Sequence, residues 1–220
     1  MTTLAPTHKP AQTLERIRAA QAIAVVRARD GDEALRITDA LSEAGLRSIE
    51  LTFTTPGVAS ALAKARARLA PDVLLGAGTI TDVVQVGAAA AAGADFLVSP
   101  HLDPPLLEAM LATGLFCLPG VLTPSEVAAA LRLGALAVKL FPASTVGVGH
   151  LRALFGPFPG LQVVPTGGIT VATAPEWLAA GAAAVGLGGE LLPKPLLEAG
   201  AWDEITDNAA RLLAELRGRS

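Results

Sequence analysis

The feature that most constrains this chain is a recurring order of helix, glycine and strand. Five helical stretches end in glycine and run at once into a short apolar segment: Ala44-Gly45-Leu46, Ala92-Gly93-Ala94, Thr113-Gly114-Leu115, Leu133-Gly134-Ala135 and Ala180-Gly181-Ala182. Glycine after a helix supplies the left-handed residue that closes it. The apolar segments are short and nearly unbroken, as in parallel strands covered on both faces. Strands are expected at 23–27, 47–53, 73–78, 96–99, 116–118, 137–141, 162–165 and 184–187. A helix is expected after each, with starts marked at Asp30 or Asp32, Pro56, Thr81 or Asp82, Asp103 and Thr123-Pro124. Strict alternation predicts an α/β fold. Eight such units in 220 residues predict a (β/α)8 TIM barrel, with an extra N-terminal helix over 11–21. The competing doubly wound sheet would be expected to carry G-x-G-x-x-G after its first strand, and the sequence has none.

The repeat also has a phase. Five residues past Gly45 lies Glu50, and five past Gly134 lies Lys139, so two charged residues inside apolar strands share one slot. Lys139 is one of only four lysines, the others being Lys9, Lys64 and Lys194 in polar or proline-marked surroundings. A charge placed there is costly unless paired or neutralised. Period-two alternation sends Ile49, Leu51, Val138 and Leu140 toward the helices and turns Glu50 and Lys139 inward. The second and sixth strands lie opposite each other in a ring of eight, so an acid and an amine should face each other near the C-terminal mouth. A desolvated lysine amine is a usable nucleophile toward carbonyls, and a partly buried carboxylate suits proton transfer. The alternatives are an interior ion pair, a poor stabiliser beside apolar packing, or a lysine that snorkels to water.

Composition narrows the function classes. A net charge of −3, spread along the chain, argues against a nucleic-acid partner. The single Cys117 excludes an internal disulfide and a cysteine metal cluster and fits a reducing compartment. Glycines interrupt the most apolar stretches before they could span a membrane. The expected location is cytoplasmic. Residues 1–10 read as a flexible lead and 11–220 as a single domain.

Two glycine loops complete the candidate chemistry. Thr166-Gly167-Gly168-Ile169-Thr170 follows the seventh strand, and Gly188-Gly189 follows the eighth. Barrels bind phosphate with backbone amides at these two loops, although glycine there also serves tight turns. Thr79, after Gly76-Ala77-Gly78, offers a hydroxyl to a substrate oxygen or merely caps a helix. Arg27 ends the first strand at the same mouth. His101 is a loop residue or a general base. The three histidines show no metal-ligand spacing, and imine chemistry needs neither metal nor cofactor.

These residues carry a family resemblance. Ile49-Glu50-Leu51-Thr52, Gly76-Ala77-Gly78-Thr79, Val98-Ser99-Pro100, Pro119-Gly120, Val138-Lys139-Leu140-Phe141-Pro142 and Pro165-Thr166-Gly167-Gly168-Ile169 occur in this order. Over residues 12–215 the chain resembles the 2-keto-3-deoxy-6-phosphogluconate (KDPG) aldolases, which also act as 4-hydroxy-2-oxoglutarate aldolases. The resemblance implies a class I aldolase on a (β/α)8 barrel, a homotrimer, acting on a small 2-keto acid. It assigns Lys139 as the Schiff-base lysine, Glu50 as acid/base and Thr79 to the pyruvyl carboxylate. Pro100 and Phe141 become the pocket wall, and Gly167 and Gly168 the phosphate loop. The chain departs from the pattern twice. Many members carry arginine where this chain has Thr54, and Arg27 is expected to supply that charge. Some carry serine where this chain has Glu190; either Glu190 turns away or the preferred substrate lacks phosphate. The epimeric 6-phosphogalactonate substrate and a non-catalytic phosphometabolite-binding barrel are the alternative functions.

Overall fold

Apolar alternation along each strand sorts the side chains into two layers, and the rest of the architecture follows from that sorting. A computed structural model describes residues 10–218. The expected flexible lead thus lies outside the described residues except for Pro10, which opens the first helix. In chain order the elements are α1 (Pro10–Ala20), β1 (Ala22–Val26), α2 (Gly31–Glu43), β2 (Ser48–Thr52), α3 (Val58–Arg68), β3 (Leu74–Gly78) and α4 (Val83–Ala91). There follow β4 (Phe96–Val98), α5 (Pro104–Ala112), β5 (Phe116–Leu118), β6 (Gly120–Val121), α6 (Pro124–Leu133), β7 (Val138–Leu140) and α7 (Ala143–Phe155). The chain closes with β8 (Val163–Pro165), α8 (Ala174–Ala179), β9 (Val185–Leu187), α9 (Lys194–Ala199) and α10 (Trp202–Arg217).

This is an α/β fold of parallel strands. Six form one curled sheet in the order β5-β4-β3-β2-β1-β9, and three form another, β6-β7-β8. Nine strands stand where eight are expected because Pro119, which has no amide hydrogen, divides the fifth unit into β5 and β6. The Pro119 carbonyl still accepts from the Lys139 amide at 2.9 Å. Between β8 and β9, Thr166 and Gly186 make an isolated parallel bridge, and the Ala183 amide donates to the Val163 carbonyl at 2.8 Å.

The outer layer lies between strands and helices and includes Ile49, Leu51, Leu75, Leu97, Val138, Leu140 and Leu187. The inner layer takes the alternate positions. Ile23, Leu74, Phe96, Phe116 and Val164 pack there with Leu14 and Ile17 of α1. Helix α1 therefore covers the N-terminal end of the strands, and each such buried side chain contributes about 1.5–3 kcal/mol. Helix starts follow the sequence signals. The Asp30 and Asp82 side chains cap α2 and α4, and Thr123 with Glu126 forms a reciprocal capping box on α6. Helix α3 is an exception. It begins at Val58, after a left-handed Gly57, so Pro56 stands in the turn ahead of it.

Candidate active site

Strand register brings the site together. Across the large sheet Val25 pairs with Glu50, Glu50 with Gly76, Gly76 with Phe96 and Phe96 with Phe116. In the smaller sheet Gly120 pairs with Lys139 and Lys139 with Val164. Glu50 and Lys139 thus stand in the row of positions that alternates with the outer layer, as the repeat phase leads one to expect. They are 2% and 5% exposed.

Glycines make the room for them. A methyl group on Gly76 would collide with the Phe96 ring, and one on Gly78 would lie 1.7 Å from Glu50 Oε1. The Glu50 side chain therefore fills the space that Gly78 leaves open. Burial raises its carboxyl pKa above the ordinary value, and the charges of Lys139 and Arg27 pull it partly back. Both cations thus reach the electrostatic surroundings of one carboxylate: Lys139 from within the strands, Arg27 from the exposed end of β1. Glu50 Oε1 is buried and has no hydrogen-bond partner among the described residues. Thr13, Arg16 and Ser48 also carry buried side-chain atoms without a partner among the described residues, and of these four Glu50 is the carboxylate.

The surrounding residues fall into two groups. Phe141 is central: its ring centroid lies 5.1 Å from Lys139 Nζ, and the ring also flanks Gly167. Gly120, beside Lys139, is crossed by the Pro100 carbonyl, so the backbone at Pro100 is held over the lysine's neighbour. Thr79 directly follows Gly78 and adopts φ 54°, a left-handed conformation uncommon for a β-branched residue. Backbone of that kind persists where surrounding structure enforces it, often at functional sites.

The second group lies apart from the amine. A cleft of about 280 Å³ is lined by Gly167 and Gly168 from one loop, Gly188 and Gly189 from the next, and Val25 and Glu190. Gly167 and Gly168 have φ 94° and 73°, and Ser144 packs over Gly168. Neither Lys139 nor Glu50 lines this cleft; Phe141 joins the two regions. Thr54 is exposed and its hydroxyl lies 2.9 Å from that of Thr52. His101 is exposed as well. Sequence reasoning overlooked Gly78 as the residue that makes space for Glu50, and Ser144 as the cover on the glycine loop. The glycine before Thr79 was a legible signal for the first; nothing in the sequence marks the second.

Comparison with known proteins shows the family. The family model described as KDPG and KHG aldolase matches residues 14–208. A 2-dehydro-3-deoxy-phosphogluconate aldolase of Haemophilus influenzae is 35% identical over 195 residues, 88% of this chain and 92% of its own. The KHG/KDPG aldolase of Escherichia coli is 36% identical over 176 residues, covering 80% and 82% of the two chains. Among solved structures, the KDPG aldolase of Legionella pneumophila with pyruvate captured as a covalent carbinolamine intermediate superposes with a TM-score of 0.84. It is 32% identical, and the match covers 90% of this chain and 97% of that one.

Proposed function

The chain belongs to the KDPG and KHG aldolase family, and from that premise we propose that it cleaves 2-keto-3-deoxy-6-phosphogluconate to pyruvate and glyceraldehyde 3-phosphate through a Schiff base on Lys139. Cleavage of 4-hydroxy-2-oxoglutarate to pyruvate and glyoxylate belongs to the same reading. One observation carries it: a buried lysine and a buried carboxylate share an interior, and the carboxylate keeps one oxygen unpartnered.

Lys139 Nζ attacks the C2 ketone, and the carbinolamine loses water with proton transfer through Glu50. The iminium withdraws electrons from the C3–C4 bond. Glu50, directly or through one water, removes the C4 hydroxyl proton; the bond breaks and the aldehyde departs. The remaining enamine takes a proton at C3, and hydrolysis returns pyruvate and the free amine. Arg27 and Thr79 anchor the substrate carboxylate, and Pro100 and Phe141 wall the pocket. Amides of Gly167, Gly168, Gly188 and Gly189 receive the distal phosphate. The reaction draws on no metal or cofactor.

We infer further that the two sheets form one closed (β/α)8 barrel within a single domain. The Thr166–Gly186 bridge on one side and the Lys139–Pro119 hydrogen bond on the other support this. Among the described residues no helix is long and apolar enough to cross a membrane, and a cytoplasmic homotrimer fits the reading. Val83 and Val84, 56% and 83% exposed at the start of α4, offer an apolar face to another copy.

Borohydride reduction in the presence of pyruvate tests the mechanism. The expected result is a single mass adduct on Lys139; an adduct elsewhere, or none, refutes it. Glu50→Gln should retain substrate binding and lose most turnover; near-normal activity removes Glu50 from the mechanism.

A further inference from the structure

The distal cleft holds an anion of its own. Glu190, from the loop after β9, reaches across to the loop after β8, where its Oε1 accepts from the Val171 amide at 3.2 Å. No other hydrogen bond to this carboxylate is found among the described residues, and the side chain is exposed at the rim of the cleft. Among the described residues Glu190 is also the only charged side chain that lines the cleft, whose other walls are apolar, threonine and glycine. No lysine or arginine among the described residues stands there to offset it. A phosphate entering this space would need the backbone amides of the same two loops. It would find one amide nearby engaged by a carboxylate, and would bring two negative charges up to a third.

We propose that Glu190 is a specificity-determining residue that disfavours phosphate in the distal cleft and tilts the enzyme toward 2-keto acids without a phosphate group. The inference rests on the aldolase reading for the identity of the substrates, but the electrostatics of the cleft do not depend on it. The carboxylate acts in two ways: it competes for the Val171 amide, and it repels the dianion. A hydroxyl-terminated or short substrate meets neither penalty, because a hydroxyl donates to a carboxylate.

Glu190→Gln separates charge from shape, since the amide oxygen can still accept from Val171. Glu190→Ala removes both contributions. Isothermal titration of inorganic phosphate into the full-length protein and both variants reads the cleft directly. The expected outcome is phosphate binding about tenfold tighter in Glu190→Gln than in the parent, with a slope on salt that reflects lost repulsion. In parallel, the ratio of kcat/KM for 2-keto-3-deoxy-6-phosphogluconate to that for 4-hydroxy-2-oxoglutarate should rise by about the same factor. Phosphate binding that is unchanged or weaker in Glu190→Gln overturns the proposal. Borohydride trapping in the same proteins reports separately on Lys139. Failed trapping with improved phosphate binding sinks the aldolase reading and keeps the role of Glu190; normal trapping with unchanged phosphate binding does the reverse.

Discussion

Gly78→Ala puts the placement of Glu50 to the hardest test. Gly78 is absent from the positive-φ residues, so its backbone suits alanine and only space is at issue. The new Cβ would stand 1.7 Å from Glu50 Oε1, 2.2 Å from Cδ and 2.5 Å from Cγ, whereas ordinary contact begins near 3.4 Å. The carboxyl must therefore retreat by roughly 1.7 Å, or β3 must give way within a close-packed interior. Misplacing a catalytic group by about 1 Å costs on the order of 100-fold in rate. A fall in kcat/KM of at least about 100-fold is expected, or roughly 3 kcal/mol of transition-state stabilisation. Overpacking should cost a further ~1–3 kcal/mol of stability, read by urea denaturation. Turnover is followed as pyruvate release coupled to lactate dehydrogenase, and trapping with pyruvate should still label Lys139 but more slowly, because dehydration of the carbinolamine also runs through Glu50. A folded Gly78→Ala protein with turnover within about threefold of the parent would mean that Glu50 does not act from this position.

Other expectations concern the same interior and its surroundings. Burial raises the Glu50 carboxyl above its ordinary 4.5, so the folded chain keeps a proton that the unfolded chain releases. The contribution of this group to stability therefore declines as pH rises above that ordinary value. Glu50→Gln should flatten that part of the curve in urea titrations carried upward from that ordinary value; an unchanged slope contradicts the assignment. Gly87, inside α4, has open space where a Cβ would go; Gly87→Ala should stabilise by about 0.5–1 kcal/mol, seen as a higher Tm, with activity intact. Burial pushes the Cys117 thiol up to about 12. Iodoacetamide near pH 8 should leave the native protein unmodified and label it in denaturant; rapid native labelling would show that the inner strands open.

Much of this fold is legible locally because its signals are local. A glycine that ends a helix, an aspartate that caps one and alternation along a strand act over a few residues. They put Glu50 and Lys139 in matching slots of the repeat. What was not legible depends on register or on broken periodicity. Helix α7 begins at Ala143, but Gly147 interrupts it at φ 71° and ψ 175°, so no single helical periodicity runs through it. Helix α9 is six residues long, starts among prolines and buries no side chain, which leaves no apolar stripe to read. The space above Gly78 exists because β2 and β3 align Thr52 with Gly78 and Glu50 with Gly76, a fact of pairing that neither strand reveals alone. The charge of Glu190 stood out in the sequence, but its reach to Val171 did not.

The plug formed by Leu14, Ile17, Phe96 and Phe116 has a kinetic corollary. In the proposed closed barrel, it leaves the interior open only at the C-terminal mouth. On the proposed mechanism the pyruvyl half of a bound substrate is tethered by its bond to Lys139, and the aldehyde half lies toward the mouth. The covalent link sets the order of release, aldehyde first and pyruvate only after hydrolysis frees it. The reverse reaction must then load pyruvate before the aldehyde, so excess aldehyde arriving first should obstruct the channel and inhibit condensation.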